Sequence, residues 1–242
     1  TDFEPMDYQD ENGDWIGFDA DMAKAFAESL GVTAEFQIID WDNKVMELNG
    51  KTVDCIWNGM TLSAEVQSAM ECSNAYCNNA QVVVIPADKA DGAQSVEAVK
   101  GLRFAVEAGS AGKDMAVENG FDYVEVVDQA TALLEVKSGT AEAAIIDALM
   151  AGAMVGEGTD YADLAYTIGL NSEEYGVGIL LISHDMNVVR RLCEDVAVMY
   201  KGKIVERGLT EEIFRHPQDE YTKRLIAAIP TRKRHGSDTK RA

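Results

Sequence analysis

Short apolar runs alternate with helical stripes through the first 178 residues, and glycines stop the helices. Met22, Ala23, Phe26, Ala27 and Leu30 recur at helical spacing, which predicts a helix over 19–30 closed by Gly31. A strand is expected over 34–39, a short helix over 43–48 and a second strand over 52–57. That second strand is nearly continuous in apolar residues, as in strands buried in parallel sheets. A third strand, 81–85, stops at Pro86. A second series follows: strand 103–106, the turn Gly109-Ser110-Ala111-Gly112 into a helix, strand 123–127, helix 130–137 closed by Gly139, and strand 143–146 ending at Asp147. A further helix starts near Ala148. Two βαβ-rich units in series predict an α/β fold of two lobes, each with a mostly parallel sheet. In such sheets ligands sit beyond the carboxyl ends of the strands.

Charge divides the chain. The 242 residues carry a formal net charge of −21. Residues 1–178 hold 33 acidic against 8 basic side chains, and residues 179–242 hold 9 against 13, with His184, His216 and His235 all in the second part. A shift this sharp marks two segments of different character. The acidity argues against nucleic-acid binding and against adsorption to anionic lipid. The longest apolar stretch, Val177 to Ile182, is far short of the roughly 18 residues a membrane span needs. The opening Thr1-Asp-Phe-Glu-Pro has no signal-peptide pattern and reads as cut from something longer. Cys55, Cys72, Cys77 and Cys193 form no C-x-x-C pair, which speaks against zinc. Cys72 and Cys77 are either a disulfide or two small thiols.

Three features sit where chemistry is expected. Asp147, at the end of an apolar strand, suits an ammonium group or the N-cap of the next helix. The turn Gly109 to Gly112 suits an anion at a helix N-terminus, or is a plain glycine turn. Phe3, Tyr8, Trp15, Trp41, Trp57 and Tyr76 cluster in the first unit and are either core or binding walls. Together they suit a zwitterion such as a free amino acid. Residues 1–178 contain no histidine and no nucleophile–base pair is visible, so neither an enzyme nor a metal or cofactor site is expected.

Glu4-Pro5-Met6-Asp7-Tyr8 and Trp15-Ile16-Gly17-Phe18-Asp19-Ala20-Asp21-Met22-Ala23 resemble the opening of the polar amino-acid solute-binding proteins of ABC transporters. Asp40-Trp41, the run Val53 to Thr61, Asn74-Ala75-Tyr76, Gly101 to Ser110, Ala141 to Asp147 and Glu173 to Gly178 resemble that family's later motifs, in order. The resemblance implies a two-lobed periplasmic-binding-protein-like fold of type II, incomplete at both ends. Lobe 1 would hold 1–86 and 173–178, with the hinge strands, and lobe 2 would hold 87–172. It implies that Phe3 and Trp41 flank the ligand, with Trp57 nearby. Asn58, Gly59 and Thr61 would bond its amino or carboxylate group. Ser110 and Gly112 would hold the carboxylate, and Asp147 the ammonium. Val66 stands where many members carry a carboxylate-gripping arginine. The implied ligand is a free amino acid, the implied partners are the permease subunits of an ABC importer, and the implied location is the periplasm or the cell surface.

After Gly178 the chain departs from that pattern. Leu180-Leu181-Ile182-Ser183-His184-Asp185 and the residues to Gly208, then Thr210 to Phe214, Pro217, and Tyr221 to Pro230, resemble the C-terminal end of an oligopeptide/dipeptide ABC-transporter ATPase. The resemblance makes 179–230 an appended α/β fragment and His184 the remnant of a switch histidine. No G-x-x-x-x-G-K-[ST] loop, Walker B strand or signature motif accompanies it, so no ATP hydrolysis is expected. Residues 231–242 read as a disordered basic tail. The alternatives to an amino-acid-binding module are an ATP-binding subunit fragment, or a non-functional fusion of the two.

Overall fold

Caps and glycine stops set most helix ends of the first 180 residues. The computed structural model describes residues 3–179, 186, 189, 190, 193 and 195–229. They fall into two units, 1–180 and 181–242. His184 and the tail 231–242 lie outside the described residues.

A small hairpin, β1 (Tyr8–Gln9) and β2 (Trp15–Ile16), leads to α1 (Phe18–Leu30), which ends at Gly31 with φ of 73°. Next come α2 (Lys44–Gly50), β3 (Cys55–Thr61), α3 (Ala64–Ala69) capped by the Ser63 hydroxyl, β4 (Glu71–Cys72) and β5 (Cys77–Asn79). There follow β6 (Gln81–Pro86), α4 (Val96–Val99), β7 (Arg103–Glu107), α5 (Ala111–Asn119), β8 (Asp122–Val126) and α6 (Gln129–Ser138). The unit closes with β9 (Ala143–Asp147), α7 (Ala148–Met154), β10 (Leu164–Gly169) and β11 (Glu173–Ile179).

The strands form two open sheets, one per lobe. The second is five-stranded, in the order β10-β6-β9-β7-β8. Its β7–β8 and β7–β9 pairs are parallel, so the chain must cross over between them, and α5 and α6 are those crossovers. Side chains alternate across the sheet. Val82, Val84, Ala105, Ala144 and Ile146 face Ala132, Leu133 and Val136 of α6. Val83, Ile85, Phe104, Val106 and Ile145 face Ala116 of α5, Val99 and Phe121. Both faces are therefore buried, which is why these strands read as unbroken apolar runs.

The first sheet differs from the expectation. β3, β4 and β5 all pair with β11, and every pair is antiparallel. The ladder runs from Cys55↔Ile179 to Thr61↔Tyr175, so the strand expected at 52–57 lies at 55–61. Residues 34–39 form no strand. A strand exists only where a neighbour completes its ladder, and no β-ladder among the described residues includes this segment. The stripe on α1 is not core-facing: Met22, Phe26 and Leu30 are exposed, and only Asp19, Ala20 and Ala27 of the helix are buried. β6, expected in lobe 1, is hydrogen-bonded into the five-stranded sheet, so the chain leaves the first sheet at Ala80 rather than after Pro86. It returns through 170–172, between β10 and β11. Cys72 and Cys77 are free thiols.

In residues 181–242, β12 (Asp195–Tyr200) and β13 (Lys203–Leu209) form a hairpin. Its turn, Lys201-Gly202, has φ of 49° and 75°, the left-handed pair that suits the twist of two-residue hairpins. A helix over Thr210–Arg215 buries Ile213 and Phe214. A second, Glu220–Ala227, is capped by the Asp219 carboxylate, 2.7 Å from the Tyr221 amide. The Glu206 carboxylate accepts from the amides of Gln218 and Asp219 at 2.7 and 3.0 Å and fixes the loop between the helices. No helix of the described residues is long and apolar enough to cross a membrane.

Candidate functional site

The strand ends of the two sheets converge on a cavity of about 200 Å³. Its wall includes Asn58, Gly59 and Thr61 of β3, Glu107 at the end of β7, Ser110 at the start of α5 and Asp147 at the end of β9. Phe3 and Trp41 add aromatic surface, and Val66 lines the wall. Gly109 shapes the turn: its φ is 68°, and a Cβ there would lie 2.6 Å from the Asp42 Cα.

Two of the expected residues lie elsewhere. Trp57 is not in the cavity wall; its ring packs against Phe26 and Tyr76 at 6.1 and 6.4 Å. Gly112 is a packing glycine, since a Cβ would meet the Ile145 carbonyl oxygen at 2.9 Å. It lets α5 approach β9 closely.

Asp147 lines the cavity but is buried, with side-chain donors around its carboxylate. Its Oδ1 accepts from the Tyr175 hydroxyl at 2.5 Å, from Gln81 Nε2 at 3.0 Å and from Asn79 Nδ2, and its Oδ2 accepts from Gln129 Nε2. The side chain makes no capping bond to α7, so the N-cap alternative is not realised. Asn79 and Gln81 also donate to Glu173 Oε1, at 2.7 and 2.8 Å. One amide pair thus ties together two carboxylates beside the interlobe crossover. Burial pushes the Asp147 carboxyl upward, and Glu173 adds to the shift.

The expected ligand donors are engaged within the protein. Asn58 Nδ2 donates to Asp7 Oδ1 at 2.5 Å, the Gly59 amide to Asp19 Oδ2 at 2.7 Å, and the Thr61 hydroxyl to Glu173 Oε1 at 2.9 Å. The Ser110 hydroxyl donates to the Glu107 carbonyl at 2.8 Å and caps α5. An acidic chain supplies buried carboxylates that need these donors. Asp19, almost fully buried, takes the Tyr76 hydroxyl at 2.8 Å as well, yet burial still holds its carboxyl above the usual range.

Among the wall residues that escape the sequence reading are Lys44, Glu107 and Gln129. The Lys44 ammonium donates to the carbonyls of Gly109 at 2.7 Å and Trp41 at 3.3 Å, and sits 5.0 Å from the centre of the Trp41 ring. Burial lowers its pKa, with Glu107 the first charge opposing that shift. Glu107 is 3% exposed, and its Oε1 has no hydrogen-bond partner among the described residues. Gln129 Nε2 reaches its Oε2 at 3.5 Å. Burial, then the charge of Asp147, push the Glu107 carboxyl up to about 8. The signal was available: Glu107 ends an apolar strand as Asp147 does.

Among curated proteins, the arginine-binding extracellular protein ArtP of Bacillus subtilis (strain 168) is 31% identical over 155 residues, 62% of this chain and 60% of ArtP. The chain therefore spans about 60% of that relative's length. The oligopeptide transport ATP-binding protein OppF of Lactococcus lactis subsp. lactis (strain IL1403) is 48% identical over 62 residues, 26% of this chain and 19% of OppF. The structure of holo ArgBP from T. maritima superposes with a TM-score of 0.70 at 31% identity, covering 78% of this chain and 82% of that one, and it has the same two-lobed periplasmic-binding-protein-like fold. The family model of the bacterial extracellular solute-binding proteins, family 3, matches residues 1–240, and the chain belongs to that family.

Proposed function

We propose that this chain binds a free amino acid between its two lobes and presents it to the permease subunits of an ABC importer, outside the cytoplasmic membrane. The observation that carries the reading is the cavity at the strand ends of both sheets, walled by Phe3 and Trp41 and edged by the buried carboxylates Glu107 and Asp147. Its volume of about 200 Å³ matches a small polar molecule. The names of ArtP and ArgBP support an amino acid as the ligand class. Lobe 1 is read as residues 1–80 and 173–178 and lobe 2 as 81–172. Phe3, Trp41, Asn58, Thr61, Ser110 and Asp147 are proposed as the wall that ligand closure engages.

Residues 179–230 are read as an ATPase-derived segment fused to the binding module, supported by the OppF likeness. The segment lacks a phosphate-binding loop, so it is assigned no ATP hydrolysis. Trp41 makes the binding reading testable. Titration of the full chain with each of the common amino acids, followed by intrinsic fluorescence, should give saturable change for at least one, and weakened change in Asp147→Ala. No response to any amino acid rejects the reading.

A further inference from the structure

We infer that Glu107 is the residue that takes the ligand's positive charge, and that this cavity binds a small organic cation whether or not the cation carries a carboxylate. The assignment rests on the proposed ligand-binding role and adds the ligand's chemistry to it.

Of the five carboxylates in the wall, Asp42, Glu65 and Asp114 are solvated and Asp147 is filled by side-chain donors, but Glu107 is neither. Asp147 accepts four hydrogen bonds from neutral side chains, which leaves little lone-pair capacity for a guest. Glu107 is equally buried, yet among the described residues its Oε1 has no partner and its Oε2 has one long contact from Gln129. A buried carboxylate oxygen without a donor is costly unless a cation arrives to use it. Glu107 lines the cavity, so a guest reaches it directly.

The complementary half, an anion grip, is missing. Val66 occupies the place of an arginine, and no arginine lines the cavity. Lys113 is paired with Glu125 at 3.1 Å. Lys44 is the nearest ammonium, but it is held by two backbone carbonyls and the Trp41 ring. Ser110 spends its hydroxyl on the Glu107 carbonyl. Asp42, Glu65 and Asp114 add further negative charge at the rim and disfavour a carboxylate there. The wall therefore recognises a cation at one end and offers little to an anion at the other.

The test is calorimetry on the full chain with arginine, its decarboxylated analogue agmatine, and glutamine. Arginine and agmatine are expected to bind within about tenfold of each other, with glutamine at least about tenfold weaker, the least that one lost charge-assisted hydrogen bond removes. In Glu107→Gln the preference for the cations over glutamine should collapse, and circular dichroism establishes that the variant is folded. Glutamine as tight as arginine overturns the inference. So does an unchanged preference in the variant. Arginine binding without agmatine binding also overturns it and moves recognition to Lys44 and the carboxylate. Should the variant not fold, the three-ligand comparison on the unaltered chain still decides. Binding of glutamine alone leaves the amino-acid reading standing and removes this one, whereas silence from all three removes this one and leaves the amino-acid reading to the full panel.

Discussion

The two lobes are built from similar sequence material and reach different degrees of closure. Lobe 2 buries both faces of a five-stranded sheet, with Val82, Val84 and Ile146 on one side and Val83, Ile85 and Ile145 on the other. The buried cluster under lobe 1 consists of Leu48, Ile56, Met60 and Val66. Its longest helix, α1, turns Phe26 and Leu30 to solvent, 44% and 57% exposed. An apolar stripe becomes core only when another layer lies against it, and in lobe 2 that layer is present on each side. The cavity lies between the two, with Glu107 and Asp147 projecting from the well-supported sheet and Asn58 to Thr61 from the thinner one. Under the proposed function, ligand chemistry set on the better-packed lobe and contacts from the thinner one would be a workable division for closing on a ligand.

Truncation in the two cores gives the largest separation. Phe104 is fully buried and stacks on Phe121 with ring centres 4.5 Å apart. Phe104→Ala is expected to cost about 3–5 kcal/mol, since packed neighbours on its own sheet and on α5 keep the vacated space from collapsing. Leu48 is as buried, but its cluster is small and its neighbours Trp41 and Val53 are only partly covered. Leu48→Ala is expected near the lower end of the Leu→Ala range, about 2–3 kcal/mol, because the surroundings can collapse. Urea unfolding of both variants measures the difference. Equal losses would show that lobe 1 is packed as tightly as lobe 2 and would undo the contrast.

How much of this was legible depended on whether structure is set locally. The β7–α5–β8–α6–β9 series could be placed within a residue or so, because Ser110 and Asp128 cap its helices and Gly120 and Gly139 end them. Asp147 was legible as a strand-end carboxylate by the same rule that would have found Glu107. Residues 34–39 have strand composition, but composition does not supply a neighbour. The sheet to which β6 belongs is likewise decided by pairing, through Gln81↔Asp147 and Val83↔Ile145, and nothing within β6 encodes it. Trp57 and Gly112 carry the residue types of a binding wall, and only the direction of packing separates them from it.

Protonation offers a smaller contrast between the strand-end carboxylates and the rest. The Glu107 carboxyl is raised from its ordinary 4.5 to about 8, first by burial and then by Asp147, with Asp128 adding to it and the Gln129 amide opposing. Lys44 is the cation that faces it. A raised carboxyl favours the folded state while protonated. Its stabilising contribution is complete below pH 4.5 and is lost as the pH climbs to about 8. Thermal melts of the ligand-free chain at pH 5, 7 and 9 should show it losing stability relative to Glu107→Gln by more than about 1 kcal/mol across that window. A constant gap would mean that Glu107 is solvated or already paired.

The smallest effect is expected where the sequence pattern looks strongest. Leu30 ends the α1 stripe and is 57% exposed, with the αL turn at Gly31 directly after it. Burial in an apolar core contributes about 1.5–3 kcal/mol for a leucine, but a side chain left in water contributes little of that. Leu30→Ser should therefore change the unfolding free energy measured in urea by no more than about 0.5 kcal/mol, while reducing dye binding to exposed apolar surface. A loss of 2 kcal/mol or more would show that this face is covered in solution. Lobe 1 would then own a second core layer, and its difference from lobe 2 would be one of composition rather than of depth.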